Sequence, residues 1–408
     1  MRRWLVMLGL GKIVLFMALM FAGYVQPFAG ANATKYFVQI GHRIATEGKF
    51  NDVDSRDDTT VAPGYPFVLA LLEWAGLRNA LWAVVCLQYL ADTAVALLLL
   101  RMGSNMGSVR VGFLAGLAWL LYPPAWIIAS WVATESLFTM FFIAGMACLC
   151  AGPGKREGWG GLWMGIANMF RANALFLPVL FVAYWVWKRA YRTAVVFSLL
   201  FGITVALWTI RNVVVLNDFI VVSSNFGSTF MQGSDERFYN DKGTEYPILF
   251  AQSAAAGIKK PVVEKGSAIN AWLFRIGLWQ YQRQIQANGW VSVAGMQARK
   301  FIKMWYLVES GNRRSEIVLF LCALVMLPLG LLELATWFKP ADQARFFCAL
   351  TVTYWILIHS LIVPLTRYMV PVFPVIILAA TFRAERIWRR RTAAKAASPA
   401  GEALPVRP

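Results

Sequence analysis

Apolar residues run through this chain in long blocks separated by short polar connections, and those blocks govern how the rest of it reads. A helix crosses the hydrocarbon core of a bilayer with about 20 apolar residues. Blocks that meet or approach that length lie at 4–28, 80–100, 110–129, 131–150, 159–171, 173–187, 193–215, 316–338, 346–363 and 367–382. The fifth and sixth adjoin and are short, so they read either as two spans or as a single long one. The pattern predicts an all-α polytopic membrane protein, a bundle of about ten transmembrane helices.

Two stretches fall outside the blocks. In the first, 29–79, Tyr36, Phe37, Ile40 and Ile44 recur at helical spacing, which predicts a helix lying along the membrane surface. The acidic segment NDVDSRDD follows, then APGYPFVLALLEWAGL, whose apolar part is about a dozen residues and too short to span. Pro63 and Pro66 at its start fit a re-entrant or interfacial helix. The second stretch, 216–314, has mixed polarity and is expected to form a small, partly helical cap. The chain thus divides into a first span (1–28), a first outside loop (29–79), spans two to seven (80–215), a second outside loop (216–314), three final spans (315–382) and a basic tail (383–408) expected to be disordered.

Charge sharpens this picture. Only 15% of the 408 residues are charged and 59% are hydrophobic, whereas soluble domains carry about 25% charged residues. A net charge of +18 in a soluble protein would point to nucleic acid. Here the cations sit in alternate short connections: Arg2 and Arg3; Arg101 and Arg110; Lys155 and Arg156; Lys188, Arg189 and Arg192; Lys339 and Arg345; and Arg383, Arg386, Arg389, Arg390 and Arg391. That is the positive-inside pattern of a bacterial inner-membrane protein with both termini cytoplasmic, its outside loops facing the periplasm and its surface in membrane lipid. No aromatic-interleaved basic surface for single strands is present, so nucleic acid is not expected as a partner. All five cysteines lie in apolar stretches, so no disulfide framework is indicated, and Cys148 and Cys150 read as small hydrophobes. His42 and His359, the only histidines, are far apart and leave little for a zinc site or a Ser-His-Asp triad. The first span lacks an A-x-A cleavage site and reads as uncleaved.

With this topology the unusual polar residues gather at one leaflet. Asp52, Asp54, Asp57 and Asp58 lie in the first outside loop, and Glu135 begins the fourth span. Arg171 and Asn173 mark the junction of spans five and six, Arg211 and Asn212 end span seven, and Arg367 and Tyr368 open span ten. Ionisable groups within spans cost several kcal/mol unless paired or hydrated, so their convergence describes a hydrated, outward-opening cavity. Each residue has a plainer reading. Arg211 can snorkel to headgroups, Glu135 can form a structural pair with an arginine, and any one aspartate can be merely solvated. Asp92 and Asn168 read as helix–helix hydrogen bonders. Asp52-Val53-Asp54 matches a D-x-D metal tripeptide, but a lone tripeptide is weak and nucleotide sugars are not expected outside the membrane.

Five blocks, in order, resemble a known pattern. TTVAPGYPFVLALL is similar to the PPGYPLFLALL signature that closes the first outside loop of the family-39-like glycosyltransferases, the ArnT- and protein-mannosyltransferase-like group of the GT-C superfamily. ATESLFTMFF, MFRANALFLPVLF, WTIRNVVVLNDFIVVSSNFGSTFMQGSD and TRYMVPVFPVIILAA resemble the group's subsequent blocks. The resemblance implies an inverting transfer of a sugar from a polyprenyl-phosphate donor to a lipid, glycan or protein acceptor. In that chemistry a carboxylate removes the acceptor proton, and guanidinium groups stabilise the departing phosphate. The expected phosphate ligands are Arg211, Arg367 and Arg171, and the expected substrate-binding residues are Tyr65, Asn212, Asn225, Gln232 and Tyr368, with Gly227 and Gly233 supplying turns near the sugar. The family's loop-one acid precedes a Tyr by four residues; here Asn32 holds that position before Tyr36. The base is therefore expected at Asp57 or Asp58, with Glu135 as the other choice. No cofactor is implied, and a divalent cation is left open. The competing readings are a surface-polysaccharide ligase or polymerase, a lipid-linked sugar flippase or transporter, which would usually show an internal repeat, and a non-catalytic relative of such enzymes.

Overall fold

The computed structural model describes residues 1–27, 34–51, 59–77, 81–152, 155–238, 245–263, 265–307 and 313–397. Among them the regular structure is helical, with no strand. Every one of the ten apolar blocks falls on a helix or on a bent helix pair. Six stretches are long and apolar enough to cross a membrane: α1 (Arg2–Phe21), α4 (Leu81–Asn105), α10 (Tyr191–Leu216), Glu316–Ala335 within α14 (Arg313–Ala335), α15 (Gln343–Leu361), and the run Thr366–Ala393. That run comprises α16 (Thr366–Met369) and most of α17 (Phe373–Ala397).

A seventh passes as a pair bent by 55°, α5 (Val109–Leu121) and α6 (Pro123–Ala129). The bend has a covalent cause: Pro123 and Pro124 cannot donate to the preceding turn, and Tyr122 is extended. Shorter apolar helices complete the bundle: α7 (Glu135–Leu149), α8 (Lys155–Phe170) and α9 (Leu177–Trp187). Blocks five and six are thus two helices, broken at an extended Arg171.

The basic connections meet at one end. Arg110 stacks on Trp388, Ser108 donates to Glu385 at 3.3 Å, Arg345 reaches the Met106 carbonyl at 3.1 Å, and Gln343 bonds Glu157. Helix α17 continues to Ala397 instead of giving way to disorder after residue 382. Glu333, fully buried on α14, accounts for part of this by holding Arg383 and Arg386, and Arg389 pairs with Glu385 one turn back.

The opposite end carries the two segments predicted to lie outside the spans. Here α2 (Gln39–Glu47) packs on α3 (Gly64–Trp74), the latter a single short helix as its length required. Beyond α10 come α11 (Phe226–Gly233), α12 (Tyr246–Ala255) and α13 (Gly266–Lys303), which turns sharply at Gly289. The Asp218 carboxylate accepts from the backbone N–H of Ser267 at 2.9 Å and so caps α13 from outside it.

One flank remains apolar and uncovered. Val195, Leu199, Ile203, Leu207, Ile210 and Val214 of α10 are exposed, a stripe that only lipid would solvate well. Inside, the main unlooked-for feature is Lys12 of α1, buried against Asp92 of α4 at 3.5 Å and lying over the Trp126 ring. Asp92 thus does bridge two helices, as an ion pair. Asn168 instead bonds the Met164 carbonyl of its own helix.

Candidate active site

Four chain segments bring polar side chains together where the bundle meets the α2–α3 and α11–α13 layers. Glu135 opens α7, a position where the helix dipole favours a carboxylate. It is buried and accepts a hydrogen bond from Arg171 Nη1, with Thr134 Oγ1 at 3.4 Å from its other oxygen. Arg171 reaches it because the chain leaves α8 there in an extended conformation. The Arg171 guanidinium also lies over the Tyr368 ring, 4.7 Å from its centre.

Tyr368 is the meeting point of the site. Arg367 donates to its hydroxyl at 3.3 Å and lies 5.1 Å over its ring, and the Trp355 indole donates to its carbonyl at 2.8 Å. His359, fully buried on α15, stacks on Trp355 and sits 6.0 Å from the Tyr368 ring. Its Nδ1 bonds the Trp355 carbonyl at 2.9 Å and its Nε2 meets the Asn173 amide at 3.2 Å. The Asn173 carbonyl in turn accepts from Tyr354 at 2.8 Å. Sequence reading set His359 aside because no second histidine lay near it. The available signal was that it is the only histidine inside an apolar span, which is expensive unless the ring has partners.

Tyr65 stands behind this cluster. It is buried, and its hydroxyl donates to Gln88 Oε1 at 2.9 Å, while Gln88 donates to the carbonyls of Ala129 and Trp131 at 2.8 and 2.7 Å. These bonds tie α3 to the connection that ends in Glu135. Gly64 lets α3 approach: a Cβ there would lie 2.9 Å from the Met169 carbonyl, just before Arg171. Upstream, Thr59 is clamped to Ser224, hydroxyl to hydroxyl at 2.8 Å, and its carbonyl accepts from the Ser224 N–H at 2.6 Å. Asn32, Asp52, Asp54, Asp57 and Asp58 lie outside the described residues.

Arg211 occupies a different setting. Its guanidinium stacks between Trp208 (4.9 Å) and Phe50 (5.6 Å) and donates to Asn212 at 3.2 Å. Asn212 is buried and donates to the Ile220 carbonyl at 2.8 Å, which folds the chain back after α10. Asn225 is exposed at the start of α11, and Gln232 donates to the Tyr246 hydroxyl at 2.8 Å.

Gly227 and Gly233 differ from expectation. Neither has positive φ; both are packing positions. A Cβ on Gly227 would lie 2.0 Å from the Asn270 carbonyl oxygen, and one on Gly233 would lie 2.5 Å from the backbone carbon of Ile362. They seat α11 on α13 and on the segment that leads to Arg367. The same junction buries Lys300, whose Nζ donates to the Gly233 carbonyl at 2.9 Å beside Tyr281. Burial pulls that amine from about 10.5 down to about 7. Among the described residues, no group of three or more His, Cys, Asp or Glu side chains lies close enough together to hold a metal ion.

No family model and no curated protein matches the chain. Two crystal structures of ArnT from Cupriavidus metallidurans are similar to it. For the one bound to undecaprenyl phosphate the identity is 15%, covering 98% of this chain and 82% of that one, with a TM-score of 0.42. For the apo state the identity is 13%, covering 97% and 81%, with a TM-score of 0.37.

Proposed function

We propose that the chain is a membrane glycosyltransferase that moves a sugar from a polyprenyl-phosphate donor to a lipid, glycan or protein acceptor on the periplasmic side of the bacterial inner membrane. The observation that carries this reading is the cluster around Tyr368, where guanidinium groups from two separate segments, Arg171 and Arg367, pack on one aromatic ring. Such an arrangement suits a phosphate oxygen, since a guanidinium keeps its charge and offers paired donors. The five ordered blocks support the same class: MFRAN carries Arg171 and Asn173, and TRYM carries Arg367 and Tyr368.

In the reaction the acceptor hydroxyl oxygen attacks the anomeric carbon as the bond from that carbon to the phosphate oxygen breaks, with inversion. The hydroxyl proton passes to Asp57 or Asp58, and the electron pair leaves on polyprenyl phosphate, stabilised by Arg367 and Arg171. Thr59, clamped to Ser224, anchors the end of the segment that bears these aspartates. Glu135 is given the part of a positioning residue that holds Arg171. Arg211, on its aromatic bed, is given the part of a further contact to the donor lipid's phosphate, with Asn225 and Gln232 as substrate contacts, while Asn212 and Tyr65, both buried, support the site from behind.

The test is transfer from radiolabelled undecaprenyl-phosphate sugars by the reconstituted full chain. Arg367→Met and Arg171→Met should each lower turnover by about 100-fold or more, the scale for losing one transition-state donor. Undiminished turnover in both variants would refute the assignment.

A further inference from the structure

Resting on that reading, we infer that His359 is a positioning residue that fixes the Asn173 amide with its oxygen toward the cavity, as a hydrogen-bond acceptor for a hydroxyl of the donor sugar. The argument begins at the other ring nitrogen. His359 Nδ1 lies 2.9 Å from the Trp355 carbonyl, and a carbonyl can only accept, so Nδ1 carries the proton. The ring is fully buried and shares the Tyr368 ring with the Arg171 guanidinium, a setting that disfavours a second positive charge. The neutral ring therefore has Nε2 as an acceptor. Nε2 lies 3.2 Å from the Asn173 amide, which must present its NH₂ there.

An amide has two ends, and fixing one fixes the other. With Nδ2 committed to His359, Asn173 Oδ1 points the opposite way, and no hydrogen bond to it is formed among the described residues. The backbone cannot swing to compensate, since the Asn173 carbonyl is held by Tyr354. Asn173 is half-buried and stands two residues from Arg171, the phosphate ligand assigned above, next to which the sugar of a phosphate-linked donor must sit. A sugar hydroxyl is the donor that this oxygen lacks. A flipped amide would turn its NH₂ away from the ring and leave two acceptors, Asn173 Oδ1 and His359 Nε2, facing each other.

The test has two arms. The chain has only two histidines, so ¹³C,¹⁵N-histidine labelling in a His42→Gln background reports His359 alone. The expected spectrum is a neutral ring protonated at Nδ1; an Nε2-protonated ring or an imidazolium at neutral pH would overturn the inference. In the second arm, binding of bare undecaprenyl phosphate is compared with binding of whichever undecaprenyl-phosphate hexose the wild type turns over. His359→Phe and Asn173→Leu should weaken the sugar-bearing lipid about tenfold, the scale of one hydrogen bond, and leave the bare lipid unchanged. His359→Gln, which keeps a donor for Trp355 and an acceptor for Asn173, should restore most of the loss and serves if His359→Phe does not fold. Equal weakening toward both lipids would overturn the inference. A wild type that turns over none of the lipids would refute the glycosyltransferase reading, while the spectrum still decides the ring.

Discussion

Replacing Lys300 with methionine is expected to stabilise the protein near neutral pH and to do so less as the pH rises. The lysine is fully buried, and its described contacts are the Gly233 carbonyl at 2.9 Å and the Tyr281 hydroxyl at 3.5 Å, with Glu236 acting at longer range. Glu236 itself is engaged by Arg299 and Lys303, so little of its charge serves Lys300. Burial lowers the amine to about 7 from the 10.5 it has in the unfolded chain. Between those values the unfolded chain holds a proton that the folded one has shed, so stability increases as pH rises through about 7 to 10. The difference of about 3.5, at about 1.36 kcal/mol for each pH unit, sets an upper bound of about 5 kcal/mol on the cost at pH 7. Losing the bond to Gly233 offsets about 1 kcal/mol of the gain from methionine. The assay is thermal unfolding of the full chain in detergent at one scan rate, wild type against Lys300→Met, from pH 7 to pH 10. The variant should melt higher at pH 7, with the gap closing or reversing by pH 10. Destabilisation of equal size at both ends would refute the reasoning, because it would mean that the buried amine is charged and well compensated.

Two further outcomes follow from packing and buried charge. Lys12→Met and Asp92→Asn should each lower thermal stability by about 3–5 kcal/mol, while the double variant recovers most of that loss, since a buried pair is costly mainly when it is broken on one side. Gly233→Ala should cost about 1–3 kcal/mol because its Cβ meets backbone at Ile362, whereas Gly202→Ala on the same scale should be neutral or slightly stabilising, having nothing within 4 Å.

The fold was legible where its physics is local. Apolar run length and loop charge locate every helix long and apolar enough to cross a membrane, though not the long α13, because burial in lipid and positive-inside sorting act on composition alone. The tail beyond residue 382 was not legible: its helix continues through contacts such as Glu333 with Arg386, a pair separated by most of two helices in sequence. The site was half legible. Ionisable residues near span ends drew attention to Glu135, Arg171, Arg367 and Tyr368, and these do meet. His359 escaped because its importance lies in a contact with Asn173 across 186 positions, which no local pattern carries. The two glycines were misread for a related reason. Composition shows that a side chain is absent, but only packing shows whether a ligand or another helix takes the space.

Glu135 looks like the natural general base, yet its surroundings argue for a different role. Its carboxylate is buried and already neutralises a guanidinium that is itself mostly buried. Taking up a proton would leave Arg171 charged and unbalanced at low dielectric, a change that costs several kcal/mol and would add directly to the barrier. A base must accept the proton when it is least stable elsewhere, so a carboxylate held as a counter-ion is poorly suited to the task. Glu135→Gln keeps an oxygen for Arg171 and removes only the charge. It should therefore lower turnover of an undecaprenyl-phosphate sugar by about tenfold, through a loosened Arg171. Asp57→Asn combined with Asp58→Asn should lower it by about 1,000-fold, within the range lost with a general base. The diagnostic is the ratio measured in one reconstituted preparation across pH 5 to 9. If Glu135→Gln abolishes turnover across that range while the aspartate pair is dispensable, the proton goes to Glu135, and the ion pair must open during each catalytic cycle.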